Sequence, residues 1–384
     1  MKQIADFEDI RPYCNDEYHD KISTLLKEPQ FKSVISTVMP EIPFEALSQK
    51  LLSINTIRQF QAEVIALFVE KIIGQTTTGV SCEGLDNIDS NGKYLFMSNH
   101  RDIVLDASFL CYLLLKNGMD TCEIAIGNNL LVYQWISDLV RINKSFIVKR
   151  GVGVRQALEA ANQLSSYIHY AINQKGESVW IAQREGRSKD SNDRTQEALI
   201  KMLSLGYDGN LLDSIKSLNI APVAISYEYD PCDSLKAYEL LQRSKNPEFK
   251  KTQQDDLVSM HTGIMGYKGK VIYQLTPCIN NELDGLDVNA DKTTILQSIT
   301  QIIDKHIHLN YHIYPGNYVA YDKLYNTNRF ASMYSVEEKE KFEKYIAQQI
   351  ARLGELSEDD YKYVHETMLL MYSNPLKNQL AASE

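Results

Sequence analysis

The sequence predicts an α/β fold with a central, largely parallel or mixed sheet flanked by helices, preceded by a helical domain and followed by a helical extension. Two observations lead to this fold class. Short apolar runs alternate with longer helical patterns through the middle of the 384-residue chain, a rhythm typical of strands joined by crossover helices. Both flanks instead repeat apolar residues with helical spacing. We therefore expect a helical domain over residues 1–79, an α/β domain over 80–310 and a helical extension over 311–384.

The two flanks carry amphipathic helical stripes. From Thr56, apolar residues recur every three or four positions and predict a helix that ends near Gly74. A second stripe follows Pro43. In the C-terminal flank, Ser335 and Glu338 have the spacing of a helix capping box and precede a further apolar stripe. Both flanks are therefore expected to be helical.

Six apolar runs in the middle of the chain are the candidate strands. They are residues 94–97, 123–126, 145–148, 178–181, 220–225 and 270–275. Helical patterns lie between most of them, at 107–115, 130–142, 154–172 and 196–205. In such folds ligands bind beyond the carboxyl ends of the strands. The polar segment from about 240 to 263 is an insertion, either a mobile cover or a solvated excursion.

Composition excludes several classes of function. The net charge of −10 argues against a nucleic-acid partner, because such proteins present a basic face to phosphates. The six cysteines are scattered without metal-ligand spacing, so we expect reduced thiols, no metal and a cytoplasmic location. The N-terminus is acidic where a signal peptide would be apolar, and the apolar run 103–115 is too short to span a bilayer. We expect at most peripheral contact with the inner face of the membrane.

Apolar side chains also crowd the predicted helix 130–142. They allow two interpretations that the sequence leaves open. The helix either lies in a membrane interface with its apolar side in lipid, or is a buried helix of the α/β domain.

Residues 98–106 directly follow the predicted strand 94–97 and contain a histidine with two aspartates. Histidine suits general-base chemistry near neutral pH, and a carboxylate at its other ring nitrogen fixes the tautomer. His100 is the candidate base. Asp106 is its preferred partner because it begins the next helical pattern, and Asp102 is the alternative. The competing interpretation is a surface histidine beside an acidic loop.

Two further segments place cations directly after predicted strands. Lys149 and Arg150 follow the strand 145–148 and precede a glycine-containing helix start, an arrangement that can hold an anion. The strand 178–181 runs into a dense charged turn that contains Arg184, Glu185, Gly186, Arg187, Ser188 and Lys189. The cations of this turn can hold a phosphate. The alternative for both segments is a set of solvated surface charges.

These segments and the run 220–227, with Pro222 near its start, resemble in order the four motif blocks of the glycerolipid acyltransferase family. That family includes glycerol-3-phosphate and lysophosphatidic acid acyltransferases. The resemblance covers about residues 80–235. The matching residues, block by block, are Asn99, His100 and Asp106; Phe146, Ile147 and Arg150; Glu185, Gly186, Arg187 and Ser188; and Pro222, Val223 and Ile225. The helical N-terminal region and the Trp-Ile-Ala sequence before the third block look, more loosely, like the soluble plastid-type glycerol-3-phosphate acyltransferases.

The sequence departs from the family pattern in three blocks. Five residues rather than four separate His100 from Asp106, so the identity of the orienting carboxylate stays open. One extra residue precedes Arg150 in the second block, and one residue is missing between Gly186 and Arg187 in the third. The first departure also leaves open a catalytically inactive, lipid-binding relative.

The resemblance implies an O-acyltransferase of phospholipid biosynthesis that uses acyl-CoA or acyl-ACP as co-substrate and needs no cofactor. The acceptor would be glycerol 3-phosphate or 1-acylglycerol 3-phosphate, with another hydroxylated lipid as the alternative. His100 would be the base, with Asp106 or Asp102 as its partner. Arg150 and Arg187 would hold the acceptor phosphate. The remaining residues expected to contribute to substrate binding are Lys149, Glu185, Gly186, Ser188 and Lys189.

Overall fold

The computed structural model describes residues 3–151 and 153–384, and its centre is a seven-stranded sheet with helices on both faces. This mixed sheet confirms the predicted fold class. The strands are β1 (Thr77–Glu83), β2 (Leu95–Ser98), β3 (Glu123–Gly127), β4 (Ser145–Val148), β5 (Val179–Ala182), β6 (Ile220–Tyr227) and β7 (Gly269–Leu275). Their order across the sheet is β1-β7-β6-β2-β5-β3-β4.

Five strands run in one direction and two run against them. β2 is parallel to β5 and β6, and β3 is parallel to β4 and β5. β7 is antiparallel to β6, and β1 pairs with β7 in parallel. The carboxyl ends of β2, β3, β4, β5 and β6 therefore share one edge of the sheet, which we call the carboxyl edge.

Six of the strands were predicted from their apolar runs, and β1 was missed. β1 pairs with β7 alone and lies at the end of the sheet. Its residues, Thr-Thr-Gly-Val-Ser-Cys-Glu, are half-buried or exposed, so no continuous apolar run marks it. Pro222 lies near the start of β6, where pairing with β7 begins only at Val223. The missing amide of the proline therefore interrupts no bond to β7.

Helices form most of the remaining chain. They are α1 (Tyr18–Leu25), α2 (Pro29–Val38), α3 (Phe44–Ser53), α4 (Ile57–Phe60), α5 (Ala66–Thr76), α6 (Leu105–Lys116), α7 (Gln134–Ile142), α8 (Val154–Tyr170), α9 (Glu197–Leu203), α10 (Leu211–Lys216), α11 (Asp233–Lys245), α12 (Gln253–Met265), α13 (Asn280–Asp284), α14 (Lys292–Leu309), α15 (Pro315–Leu324), α16 (Val336–Ala351) and α17 (Glu358–Ser383). A π-helical turn, Gln61–Ile65, joins α4 to α5.

Alternate side chains of the strands build two cores, one on each face of the sheet. On one face, Leu95, Met97 and Ile181 pack with α8, α9 and α14. On the other face, Phe96 and Trp180 pack with α5 and α6. Because both faces are covered, the central strands β2, β5 and β6 contain no charged residue.

The N-terminal helices form a third cluster that includes one side of α7. Trp135 and Leu139 of α7 pack into this cluster, and the indole nitrogen of Trp135 donates to Gln30 at 3.0 Å. Phe7 and Ile10 instead belong to the core beneath the sheet. The division of the chain into domains at residues 79 and 310 stays a prediction.

The C-terminal helices α15, α16 and α17 pack with α11 in a fourth cluster. The predicted capping box is present at the start of α16, where Ser335 and Glu338 exchange hydrogen bonds between side chain and backbone. The predicted insertion forms ordered helix: it contains the end of α11 and most of α12.

Helix α12 lies against the carboxyl edge. Gly263 of α12 packs so closely on Asp102 that an added Cβ would lie 1.9 Å from Oδ2. The buried ammonium of Lys268 fixes the end of the helix by donating to Thr76 Oγ1 and to the carbonyls of Ile264 and Gly266. The segment thus covers the end of β2.

Over residues 3–151 and 153–384, no helix is both long and apolar enough to cross a membrane.

Candidate active site

The carboxyl edge collects the four segments that the sequence singled out. Residues 98–106 leave β2, Lys149 and Arg150 leave β4, and the charged turn 183–189 leaves β5. Tyr227 ends β6 beside β2. Parallel strand direction, rather than closeness in sequence, brings these segments to one side of the molecule.

His100 and Asp106 form a hydrogen-bonded pair at the end of β2. Nδ1 of His100 lies 2.8 Å from Oδ2 of Asp106, and the Asp106 side chain is fully buried. The same carboxylate oxygen accepts the backbone N–H groups of Arg101 at 2.6 Å and Asp102 at 3.0 Å. Because a carboxylate oxygen only accepts, Nδ1 is assigned the proton and Nε2 is the basic nitrogen of the ring.

Asp102 has a different task, since it caps helix α6. Its Oδ1 accepts the backbone N–H groups of Val104 at 2.9 Å and Leu105 at 2.8 Å. Burial and the charge of Asp106 raise the pKa of Asp102, while Arg187 acts in the opposite direction. The geometry therefore favours Asp106 over Asp102 as the partner of His100.

Trp180 holds the imidazole from a second side. The rings of His100 and Trp180 meet edge to face, with centroids 5.6 Å apart and an angle of 69° between planes. The Trp180 indole donates to Ser98 Oγ at 3.0 Å, which fixes its own orientation. In the sequence, Trp180 belongs to a predicted strand and to the Trp-Ile-Ala resemblance, and neither feature predicts its contact with the histidine.

Arg187 is the most deeply placed cation of the turn after β5. Burial alone would lower its pKa, but the neighbouring Cys232, Asp102 and Asp230 raise it, so the guanidinium stays charged. Gly186 has a positive φ of 68°, a conformation that glycine adopts without strain. It turns the chain so that Arg187 and Ser188 point inward and are buried.

The other members of this turn already have protein partners. Lys189 pairs with the buried Glu239 of α11 at 2.8 Å, and Ser188 donates to Asp190 at 3.1 Å. Burial and the charge of Arg187 lower the pKa of Lys189 to about 8. Glu185 is exposed and lies 3.6 Å from Arg150.

Of the two cations after β4, the structure brings only Arg150 to the turn after β5. The Arg150 backbone N–H donates to Asn128 Oδ1 at 2.9 Å, which ties the ends of β3 and β4 together. Lys149 points to a different place, because its ammonium binds Asp9 and Gln163. Its assignment to substrate binding stays a prediction, and its geometry favours a role in holding the N-terminal segment.

Several buried polar atoms around the pair lack a hydrogen-bond partner among the described residues. They include Asp102 Oδ2, Asp106 Oδ1, Arg184 Nε, Arg187 Nη1 and both side-chain polar atoms of Gln183. Buried polar groups are almost always satisfied in folded proteins. Their concentration here is a sign of a site that exchanges hydrogen bonds with a polar ligand or water.

Charged residues that sequence analysis missed surround the first block. The guanidinium of Arg101 makes two bonds to Asp193, and Lys236 donates to the Arg101 carbonyl at 2.9 Å. Tyr273 donates to the Asp106 carbonyl at 2.9 Å. Arg101 could have been suspected from its place beside His100, but its partner is 92 residues away.

The chemistry available here is proton transfer and anion binding. His100 supplies a base whose second nitrogen is fixed, and Arg187 supplies a buried cation on the same edge. Among the described residues, the group spaced to share a metal ion is Cys14, Asp16 and Glu17, in the N-terminal segment. Glu17 already pairs with Arg11 at 2.6 Å.

Comparisons with known proteins match part of the chain to one family. Residues 79–226 match the family model described as Acyltransferase. A comparison with curated proteins gave no match. Among solved structures, the 1-acyl-sn-glycerophosphate (LPA) acyltransferase PlsC from Thermotoga maritima is 11% identical, with a TM-score of 0.34, over 76% of this chain and 97% of that chain. The structural likeness is too low to carry an argument, and the family match is the informative finding.

Proposed function

We propose that this chain, whose residues 79–226 match the family model described as Acyltransferase, moves a fatty acyl group from acyl-CoA or acyl-ACP to a hydroxyl of glycerol 3-phosphate or 1-acylglycerol 3-phosphate. The single observation that carries the proposal is the His100–Asp106 pair, with 2.8 Å between Nδ1 and Oδ2, at the carboxyl edge of the sheet.

In the proposed reaction, Nε2 of His100 removes the proton from the acceptor hydroxyl as its oxygen attacks the thioester carbonyl. The tetrahedral intermediate collapses with loss of the thiol, which takes up the proton held by the imidazolium. An ester and a free thiol result, with no covalent bond to the protein. Asp106 stabilises the imidazolium and holds its tautomer, and the site contributes mainly by orienting the two reactants.

The acceptor phosphate is proposed to bind Arg187, with Arg150 at the outer side. Arg187 is buried, charged and has one guanidinium nitrogen without a partner in the described part of the chain. Charge-assisted bonds from arginine to phosphate are strong because the planar group donates two parallel bonds. Lys189 and Glu185 would complete the wall of this pocket.

The experiment is an in vitro assay that crosses acyl-CoA and acyl-ACP with glycerol 3-phosphate and lysophosphatidate. His100→Gln should abolish transfer with every productive combination. His306→Gln is the matched control, because His306 also pairs with a carboxylate, Glu282 at 2.9 Å, on helices away from the carboxyl edge. Transfer that survives in His100→Gln, or that fails equally in His306→Gln, would sink the assignment of His100.

A second acceptor class is favoured by one observation. Lys149, Lys189 and Arg150 each lie beside an acid, at Asp9, Glu239 and Glu185, so the charge available to a phosphate dianion is small. The alternative acceptor is a hydroxylated lipid without a terminal phosphate. If the enzyme prefers such a lipid and Arg187→Gln leaves its KM unchanged, the phosphate-bearing acceptors are excluded.

Peripheral membrane contact and a cytoplasmic location are also proposed rather than established. The side of α7 that carries Trp135 packs on the N-terminal helices, which favours the interpretation of α7 as a buried helix. The exposed Tyr133 at its start, 47% accessible, is the better position for a test. Tyr133→Glu should weaken flotation with anionic liposomes if this end of the helix touches lipid.

A further inference from the structure

A buried ion pair lies directly behind the His100–Asp106 pair. Nη1 and Nη2 of Arg101 donate to the two carboxylate oxygens of Asp193 at 2.8 and 2.6 Å. Arg101 is 5% exposed and Asp193 is fully buried. These two parallel hydrogen bonds fix both the distance between the two side chains and the orientation of the guanidinium plane.

Asp193 is itself held in place by the last turn of α14 and the residues that follow it. The hydroxyl of Tyr311 donates to Asp193 Oδ2 at 2.5 Å, and the His308 ring bonds to the Asp193 carbonyl through Nε2 at 2.8 Å. Burial and the neighbouring carboxylate keep the pKa of Tyr311 far above its ordinary value, so the phenol remains a donor. Asp193 is therefore a fixed anchor.

The backbone of Arg101 connects this anchor to the catalytic pair. Its N–H donates to Asp106 Oδ2 at 2.6 Å, and its carbonyl accepts from Lys236 at 2.9 Å. Residue 101 is thus held at three points: the guanidinium, the amide and the carbonyl. It is also the residue bonded covalently to His100, so a rotation of its backbone would change both the position of His100 and the amide contact to Asp106.

We propose that Arg101 and Asp193 are positioning residues for acyl transfer: their buried ion pair sets the backbone of residue 101, which aims an amide at Asp106 and so holds the His100 ring in its reactive orientation. This inference rests on the proposed function. Both Nη atoms of the buried guanidinium donate to Asp193, so in this proposal Arg101 acts through its backbone rather than by touching substrate. The same pair ties the loop that contains Arg187, six residues before Asp193, to the loop that contains the base.

A structural ion pair elsewhere would be expected to affect stability alone, and buried pairs often add little even to that. A pair that positions a base should affect turnover instead, because a small misplacement of a reacting group costs about 100-fold in rate. The two roles are therefore separable by measurement.

The test variant is Arg101→Gln combined with Asp193→Asn. Changing both partners removes the ion pair without leaving a lone charge buried. Arg101→Lys is the conservative variant, since it keeps the positive charge but replaces the two parallel hydrogen bonds of the guanidinium by a single point of contact.

The chain offers a matched control at the opposite edge of the sheet. Lys175 pairs with the fully buried Glu123, and Tyr167 donates to the other oxygen of that carboxylate at 2.5 Å. This triad copies the arrangement of Arg101, Asp193 and Tyr311, but Glu123 begins β3 rather than following its carboxyl end. The control variant is Lys175→Gln combined with Glu123→Gln.

Two readouts decide the proposal. In the acyl-transfer assay, the Arg101/Asp193 double variant should lose about 30- to 100-fold in kcat, with KM for donor and acceptor within about threefold. Arg101→Lys should fall between it and the wild type. The Lys175/Glu123 control should keep its kcat even if its melting temperature falls by as much as that of the Arg101/Asp193 double variant.

The second readout needs no activity. In protein labelled with ¹⁵N-histidine, the hydrogen-bonded proton on Nδ1 of His100 should give a downfield signal, assigned by its loss in His100→Gln. The signal should weaken or shift in the Arg101/Asp193 double variant and stay unchanged in the control. An unchanged signal, an unchanged kcat, or an equal loss of kcat in the control would overturn the proposal. If the wild type transfers no acyl group at all, the proposed function fails, and the NMR comparison still decides whether the ion pair positions His100.

Discussion

Replacing Asp106 by asparagine tests the catalytic pair most directly. The substitution keeps the shape of the side chain, and its amide oxygen can still accept the backbone N–H groups of Arg101 and Asp102 that now bond to Oδ2. It removes the negative charge that lies 2.8 Å from Nδ1 of His100. The variant therefore separates the charge from the local fold.

The expected magnitude follows from the geometry. Opposite charges with centres about 4 Å apart interact by about 4 kcal/mol at an effective dielectric of about 20. This stabilisation acts when His100 becomes an imidazolium in the transition state and is small while the ring is neutral. Since each 1.36 kcal/mol is a factor of about ten in rate, Asp106→Asn should lower kcat by about 1,000-fold. KM for both substrates should change little.

The assay is steady-state acyl transfer, followed by release of the free thiol and by mass spectrometry of the acylated product. Asp102→Asn is the matched control, because Asp102 caps α6 and makes no hydrogen bond to His100. The amide oxygen of asparagine can still accept these two backbone N–H groups, because asparagine and aspartate cap helices about equally well, so Asp102→Asn should keep its stability and lose less than about tenfold in kcat. If Asp106→Asn keeps more than a tenth of the wild-type kcat, or if Asp102→Asn is the more damaged enzyme, the pairing argued here is wrong.

Three further predictions concern the surroundings of the pair. Arg187→Gln should raise the acceptor KM by about 10- to 100-fold, the value of a lost charge-assisted bond. Lys149→Gln should leave it unchanged because that ammonium lies at Asp9 and Gln163, away from the turn after β5; steady-state titration of the acceptor separates the two. Burial and the neighbouring guanidinium lower the pKa of Lys189 to about 8. The positive charge of Lys189 is therefore lost as the pH rises through 8, and the KM of an anionic acceptor should climb between pH 7 and 9. In Lys189→Arg that KM should stay constant over the same range. Gly263→Ala would force a methyl group to within 1.9 Å of the Asp102 carboxylate and should lower the free energy of unfolding by about 1–3 kcal/mol. Gly74→Ala, at an exposed helical site with free space around it, should raise the free energy of unfolding by about 0.5–1 kcal/mol. If thermal denaturation shows that the two variants behave alike, the close packing of α12 is contradicted.

The part of the site that the sequence predicted is its local part. His100 and Asp106 belong to one strand end and one helix start, so their approach depends on only a few residues of backbone. The cations after β4 and β5 were also predictable, because parallel strands bring their carboxyl ends to one edge. Local spacing and strand direction together were enough to find the candidate residues.

The remainder of the site depends on contacts between distant parts of the chain. Trp180 meets His100 across 80 residues, and Asp193 meets Arg101 across 92. Neither contact leaves a periodicity or a spacing in the sequence. The contact of Lys149 with Asp9 is also a contact between distant parts of the chain. Lys149 and Arg150 look equivalent in the sequence, and only the packing of the N-terminal segment directs Lys149 away from the turn after β5.

The fold shows the same limit. β1 carries threonine, serine and glycine in place of an apolar run because it borders only β7 and is half-covered. The antiparallel course of β7 could not be predicted from its composition, because its buried residues Val271, Ile272 and Tyr273 would suit a strand of either direction. Direction is decided by the connection through α11 and α12, whose polar residues resemble those of a loop.

The extra residue between His100 and Asp106 does not prevent their contact in the structure. Asp102 caps α6 through two backbone amides, so the helix begins in a fixed register relative to residue 102. That register makes Asp106 the second residue of the helix, with its carboxylate turned back toward the amides of residues 101 and 102. Those amides stabilise the negative charge at the helix N-terminus, and His100 immediately precedes them. The additional residue is therefore accommodated in the turn between the cap and the helix, and the imidazole of His100 still meets the carboxylate of Asp106 because both ends of that turn are anchored.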